Sequence, residues 1–401
     1  MKPPFLSALP IMEQIESAGF EAYFVGGSVR DLLLNREITD VDIATSATPA
    51  EIKAIFAKTI DVGIAHGTVV VLYHGESYEV TTFRSESEYE DFRRPNEVTF
   101  IRSLEEDLQR RDFTMNAIAM NKKGEIIDPF QGQAAINQKV IKTVGLADER
   151  FHEDALRMMR AIRFVSQLSF SIEDSTLFAL KENGSLLKNI SVERLTVEFE
   201  KLLLGPDYQK AVKLLIDTGI YQYLPGFKEY PQELNTFLRH RMEAAIFSIE
   251  EYWVMLLYHL GQQPADVEKF LRNWKQPTKK IRRVKHGLHW LQQRLKTVFS
   301  PVDLYKAENA WAISTERLYN TLVGKDVHHN VDLIEEQFNS LPIKDRSEMA
   351  ISGQDLIEWY EKNGGPWIEE NLQAIEKAII NGEISNRKES IREWLFTCNR
   401  P

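Results

Sequence analysis

The chain reads as an α+β head followed by helices alone, because the residue pattern changes character near residue 140. Before that point, short runs rich in β-branched residues alternate with helical ones. From Asp148 onward the strand signal nearly disappears and long amphipathic stretches take over. Residues 22–27 (AYFVGG) read as a strand entering a glycine turn, and residues 28–36 as the helix that follows. Residues 40–45, 67–75 and 77–84 read as strands, and 49–58 as a short helix. Residues 85–97, SESEYEDFRRPNE, have no apolar period and read as a long flexible loop. Helices are expected over 152–166, 191–204, 207–219, 240–260, 264–275, 279–297, 301–323, 331–340, 353–363 and 366–381. Gly205-Pro206, Pro225-Gly226, Pro277 and Gly364-Gly365-Pro366 punctuate them.

Composition narrows the class of protein. A chain of 401 residues, 43% hydrophobic and 27% charged, is ordinary globular material, enough for about two to four domains. The single cysteine, Cys398, excludes an internal disulfide framework and suits a reducing, cytoplasmic setting. The N-terminal MKPPFLSALPIMEQ has no charged segment leading into an apolar one, so no signal peptide is expected. No apolar run reaches the roughly 18 residues of a membrane span. The net charge of −10 argues at first sight against a nucleic-acid partner. Its distribution argues otherwise: residues 1–140, 141–263 and 301–401 carry −8, −3 and −7, while residues 264–300 carry +8.

The head holds the first candidate chemistry. Gly26 and Gly27 stand between strand and helix, where glycine lets backbone N–H groups approach a phosphate, and Arg30 lies within reach of the same anion. A glycine pair at a strand end is by itself more often only a turn. Asp40 and Asp42, two apart on a strand, point to one face while Val41 and Ile43 point to the other. Two carboxylates on one face suit Mg²⁺, which keeps waters and takes further oxygens from substrate phosphates. Glu79, in a later strand, is a candidate third carboxylate. Arg111 closes an arginine-rich segment and can neutralise a triphosphate, its alternative partner being Glu105, Glu106 or Asp107.

A second constellation lies in the helix expected over 152–165. Arg157, Arg160 and Arg163 share one face with Asp154, opposite a core face of Ala155, Met158, Met159, Ile162 and Val165. A solvated surface is the ordinary explanation of such a face. Three arginines beside one acid repel, however, unless an anion joins them. Asp154 and Arg157 can present an acceptor next to a donor fork, the complement of the Watson–Crick edge of cytosine and adenine. Guanine and uracil meet that edge with the wrong polarity.

These segments together resemble a known family. Gly26-Gly27-Ser28-Val29-Arg30-Asp31, Asp40-Val41-Asp42, Arg110 to Ala117, Glu153-Asp154-Ala155-Leu156-Arg157 and Glu193-Arg194 with Glu198 stand in the order of the class II tRNA nucleotidyltransferases. The resemblance to the bacterial CCA-adding enzymes covers essentially the whole chain, including Ile351 to Leu356 and the last 40 or so residues. It implies a polymerase-β-like nucleotidyltransferase head (1–140), a neck that recognises the base (141–205), a helical body (206–276) and a helical tail that binds tRNA (277–401). It also implies stepwise addition of C, C and A to the tRNA 3′ end from CTP and ATP, without a nucleic-acid template and with release of pyrophosphate. On that resemblance Asp40 and Asp42 hold Mg²⁺, with Glu79 beside them. Gly27, Arg30 and Arg111 contact the nucleotide, Asp154 and Arg157 act as protein template, and Arg160 and Arg163 complete the pocket. The loop at 85–97 helps reshape that pocket from C to A. The basic residues Lys279, Lys280, Arg282 and Arg283 are the expected contact to the tRNA backbone. The chain is expected to work in the cytoplasm, off the membrane, as a monomer or homodimer. Rivals are a CC-adding, A-adding or poly(A)-adding relative of the same fold, an inert RNA-binding protein, and a metal phosphohydrolase suggested by His152-Glu153-Asp154.

Overall fold

A stripe of Phe5, Ala8, Ile11, Met12 and Ile15 makes the first helix, α1 (Pro3–Ser17), one-sided and sets it on the head's sheet, where Phe5 meets Phe24 edge-on at 4.9 Å. The computed structural model describes residues 3–63, 66–86, 89–90, 94–95 and 98–397. The strands β1 (Ala22–Val25), β2 (Asp42–Thr45), β3 (Thr59–Gly63), β4 (Thr68–Tyr73) and β5 (Glu76–Thr82) form the sheet's centre, with helices α2 (Gly27–Leu33) and α3 (Pro49–Ile55) between them. Thr48 and Glu51 close a capping box at the start of α3, each satisfying a backbone N–H of the other end.

Residues 84–100 depart from the expected flexible loop. β6 (Arg84–Glu86) and β7 (Tyr89–Glu90) pair antiparallel with β9 (Val98–Phe100) and β8 (Arg94–Pro95) respectively. Pairing of backbone groups needs no apolar period, which is why the polar sequence concealed it. The remainder of the 85–97 segment, including Arg93, lies outside the described residues.

The head is completed by α4 (Leu104–Gln109), β10 (Ala119–Met120), β11 (Ile126–Ile127), α5 (Gly132–Gln138) and β12 (Val140–Ile141). Strand order is β11-β10-β1-β2-β5-β4-β3, all antiparallel except β2 with β5. One face of this sheet packs on α1 and α3. The other covers a core of Val25, Ala44, Phe83, Leu108, Ala117, Ala119 and Val144.

Beyond the head the same compact unit, Met1–Pro231, becomes helical. It holds α6 (Ala147–Glu153), α7 (Leu156–Leu168), the short β13 (Ser171–Ile172) beside β12, α8 (Asp174–Asn183), α9 (Val192–Leu203) and α10 (Tyr208–Asp217). The helix expected over 152–166 is therefore two helices. Asp154 sits between them at φ −141° and ψ 101°, its carboxylate accepting from the Leu156 N–H at 3.0 Å. A short acidic side chain that bonds its own neighbouring backbone competes with helix continuation. α7 packs on α9 and α10, and at Gly205 an added Cβ would lie 2.1 Å from the Ser166 hydroxyl.

The second unit, Gln232–Pro401, is all helix among its described residues. It runs through α11 (Pro231–Phe237), α12 (Ile249–His259), α13 (Val267–Asn273), α14 (Thr278–Arg294), α15 (Pro301–Val323), α16 (Val331–Asn339), α17 (Gly353–Tyr360), α18 (Pro366–Ile380) and α19 (Lys388–Thr397). The helix expected over 240–260 begins only at Ile249, because Ser248 and Glu251 form a capping box there. Leu304, Ile334, Phe338, Leu356, Ile375, Ile379 and Ile391 knit α15 to α19 into one core. No described helix is long and apolar enough to cross a membrane.

Candidate active site

Three sequence motifs meet at Gly26. Its backbone adopts φ 71° and ψ −132°, and an added Cβ would stand 3.0 Å from Arg111 Nη1 and 4.0 Å from Asp42 Oδ2. Only glycine serves there, on grounds of the backbone. Ser28 turns its hydroxyl back to the Val25 carbonyl at 3.1 Å and secures the start of α2.

Asp42 opens β2, while Asp40 lies just before the strand; both are exposed and Val41 and Ile43 are buried, so the alternation predicted for one strand holds across its entry. β2 runs parallel to β5 with Ile43 opposite Val80, which sets Glu79 near Asp42. Partial burial at the cavity wall pushes the Asp42 carboxyl above its usual value, aided by the charges of Glu79 and Asp40 and opposed by Arg111. Among the described residues, no three His, Cys, Asp or Glu side chains gather tightly enough to cage a metal. Two open carboxylates that repel each other, only partly offset by Arg111, fit a cation that takes its other ligands from water and phosphate.

A cavity of roughly 860 Å³ brings the rest together. Of the predicted residues, Gly27, Arg30, Asp42 and Arg111 line its head side, and Asp154, Arg157, Arg160 and Arg163 its helical side. Asp40 and Glu79 are not on its wall. Lys279, Lys280, Arg282 and Arg283 lie on α14 of the second unit, exposed except for the half-buried Lys280. Arg283 stands 3.6 Å from Glu250.

The arginines are less isolated than their helix face suggested. Arg157 donates to Glu153 at 2.6 Å and to the Arg110 carbonyl at 2.9 Å. Arg160 grips Asp112 at 2.6 Å, and Arg163 meets Glu198 at 2.5 Å and lies over the Phe164 ring at 4.1 Å. The expectation of three arginines with a single acid is thus corrected: other elements deliver Asp112 and Glu198, which a helical wheel cannot show. Arg30 is likewise engaged, by Asp31 at 2.9 Å and Asn116 at 2.8 Å. Arg111 pairs with Asp107 at 3.2 Å, one of its anticipated partners, but its buried Nε has no partner among the described residues.

Asp154 is held from two sides, by the Leu156 N–H and by Arg194 at 2.7 Å. Each carboxylate oxygen has a second lone pair, so Asp154 retains acceptor capacity toward the cavity. Asp112 is buried, which opposes ionisation, yet the charge of Arg160 and hydrogen bonds from Asn116 and Arg160 hold its pKa down at about 2. Arg84, Arg110, Arg194, Lys201 and His66 also line the cavity. Two of these, Arg110 and Arg194, stand inside the motifs that marked the site, but spacing alone did not say which faced it.

A glycine turn, an acidic strand entry and an arginine-lined cavity on such a sheet define a nucleotidyltransferase with a polymerase-β-type head. Residues 22–142 match the family model of the poly A polymerase head domain. Residues 169–230 match the probable RNA and SrmB-binding site of polymerase A, and residues 245–395 the putative tRNA nucleotidyltransferase domain 2. The chain belongs to the CCA-adding enzymes. It is 52% identical over 404 residues to the CCA-adding enzyme of Geobacillus sp. (strain WCH70), covering 100% of this chain and 98% of that protein. It is 49% identical to that of Bacillus cereus (strain AH820), covering 98% and 99%. A crystal structure of the Bacillus stearothermophilus CCA-adding enzyme in complex with CTP superposes with a TM-score of 0.92 at 47% identity, over 100% of this chain and 98% of that one.

Proposed function

We propose that this chain adds C, C and A in turn to the 3′ end of tRNA, from CTP and ATP, releasing pyrophosphate at each step. One observation carries the reading. A single cavity joins Asp42 and Arg111 at the Gly26 turn to Asp154 and Arg157 on the helical side, so the phosphate end and the base end of one nucleotide are both provided for. The family's name and the CTP-bound relative support the same substrates.

The RNA 3′-hydroxyl attacks the α-phosphate in line and pyrophosphate leaves. Arg111, poised at the glycine turn, offsets the triphosphate's charge. Its unpartnered Nε, if reached by phosphate, would no longer be a buried orphan. When bound, Mg²⁺ held by Asp40 and Asp42 would neutralise charge at the reacting phosphate and make the hydroxyl more acidic. Asp154 accepts from the exocyclic amine of cytosine or adenine, and the Arg157 fork faces the ring nitrogen. Arg160, clamped by Asp112, ties α7 to the head, Arg163, clamped by Glu198, ties it to α9, and both complete the wall. The chain's contribution is therefore chiefly positioning and electrostatics. The proposed division of labour keeps catalysis in 1–140, base recognition in 141–205, a body in 206–276 and tRNA binding in 277–401. Its substrates make the cytoplasm the proposed place of work.

The test is incorporation of labelled CMP into tRNA that lacks its terminal CCA, with Mg²⁺ present. Addition is expected from the wild type, with a loss of at least about a thousandfold in Asp42→Ala and nearly unchanged tRNA binding. Turnover retained by Asp42→Ala would refute the metal assignment. Chelation of divalent ions should stop the reaction, and Mg²⁺ should restore it.

A further inference from the structure

α9 contributes two cations to the cavity, Arg194 and Lys201, seven residues apart. Its inward face is Leu195, Phe199, Leu202 and Leu203, all buried. On a wheel of 100° per residue with Arg194 at 0°, these occupy about 80° to 180°, whereas Lys201 falls at about 340°, Val197 at about 300° and Leu204 at about 280°. A solvated face would be polar there. Instead Val197 is 50% exposed and Leu204, the helix's C-cap, 37% exposed, one before and one after Lys201 along the helix axis. The acids Glu193 and Glu200 lie further round, at about 240° to 260°. Lys201 has no ion pair among the described residues. Arg194, while one nitrogen holds Asp154, has a buried Nη1 without a partner among them.

We propose that this strip of α9 receives the unpaired 3′ end of the RNA, with Lys201 and the free Arg194 nitrogen on backbone phosphates and Val197 and Leu204 beneath the bases. The inference rests on the RNA-extending function proposed above and says where the acceptor lies in that same site. Cations placed alternately with exposed apolar side chains match a single strand, whose charge runs along one edge and whose bases need a non-polar support. A nucleoside triphosphate could use Lys201 but would have no need of Val197 or Leu204. From Arg194 to Leu204 the strip spans about 15 Å of helix, and its cations are continuous with the cavity wall where the 3′-hydroxyl must arrive.

Steady-state addition of CMP to tRNA lacking CCA, with the full chain, separates the possibilities. Lys201→Glu is expected to raise the KM for tRNA about tenfold and Lys201→Arg to restore it to within about twofold, while the KM for CTP stays unchanged in both. The double substitution Val197→Ser with Leu204→Ser should raise the KM for tRNA about threefold, again without touching CTP. Lys201→Ala should lower the salt slope of tRNA binding by about one. An unchanged KM for tRNA, or an equal rise in the KM for CTP, overturns the proposal. An unchanged KM in an active enzyme sinks this inference alone, whereas a wild type that adds no CMP sinks the underlying function with it.

Discussion

Asp112 shows how much of the site is invisible in a single helix. It lies in the Arg110–Asp112 motif, yet its partner is Arg160 of another element, and with Asn116 it fixes the seam between head and α7. Its carboxyl is held at about 2 against an ordinary 3.8. A depressed carboxylate stabilises the fold above its unfolded pKa and loses that contribution as pH falls through its folded one. The stability gap between wild type and Asp112→Asn in urea titrations should therefore be constant above about pH 5 and shrink by up to about 2 kcal/mol toward pH 2. Loss of Glu198 leaves Arg163 buried without its acid, and Glu198→Leu should cost about 3 kcal/mol by the same measurement. On the proposed function Asp154 and Arg157 carry selectivity instead. Exchanging either should relax the choice of base in single-nucleotide incorporation by about tenfold or more, one hydrogen bond's worth of discrimination, with tRNA affinity nearly kept. Selectivity for C and A that survives both exchanges would defeat the protein-template role. That these two residues share a cavity wall was legible in the sequence, since they stand one helical turn apart. Asp112 and Glu198 were not, because pairing across 48 and 35 residues leaves no trace in local spacing.

At the scale of elements, the strands were legible because β-branched runs ended at Gly, Asp or Ser: β1, β2 and β4 fall within the expected segments, and β5 begins one residue before its own. Two misread helices share a cause, namely local hydrogen bonds that outrank periodicity. Asp154 divides one expected helix into two, and Ser248 delays another to Ile249. α15 covers its expected span but is interrupted within it. Glu308 interrupts it at φ 64° and ψ 151°, a conformation in effect open only to glycine. Glu308→Gly should therefore stabilise the chain by about 1 kcal/mol, strain relief exceeding glycine's entropic cost. A thermal unfolding midpoint that falls on this change would contradict the strain. α14 bears the basic cluster. Removing Lys279, Arg282 and Arg283 together should flatten the salt dependence of tRNA affinity by about one unit of slope for each phosphate no longer neutralised, leaving the KM for CTP alone. An unaltered slope would make that face ordinary solvated surface.

For the whole molecule, the net charge of −10 was the least informative number and its distribution one of the most useful. The acid is dispersed, while positive charge is concentrated in the α13–α14 region and around one cavity. The change from mixed to helical elements near residue 140 was legible as a change of period. The split of the chain into Met1–Pro231 and Gln232–Pro401 was not, because it depends on which helices share a core rather than on any breaker in sequence. The central claim concerns this molecule as one catalyst with two specificities in one cavity. Its most direct test is product length on tRNA lacking CCA, with Mg²⁺ and each nucleotide supplied singly and then together. The claim predicts two residues added from CTP alone, none from ATP alone, and three from the mixture, with extension ending there. A ladder of A residues from ATP alone, or arrest after two residues in the mixture, would contradict it.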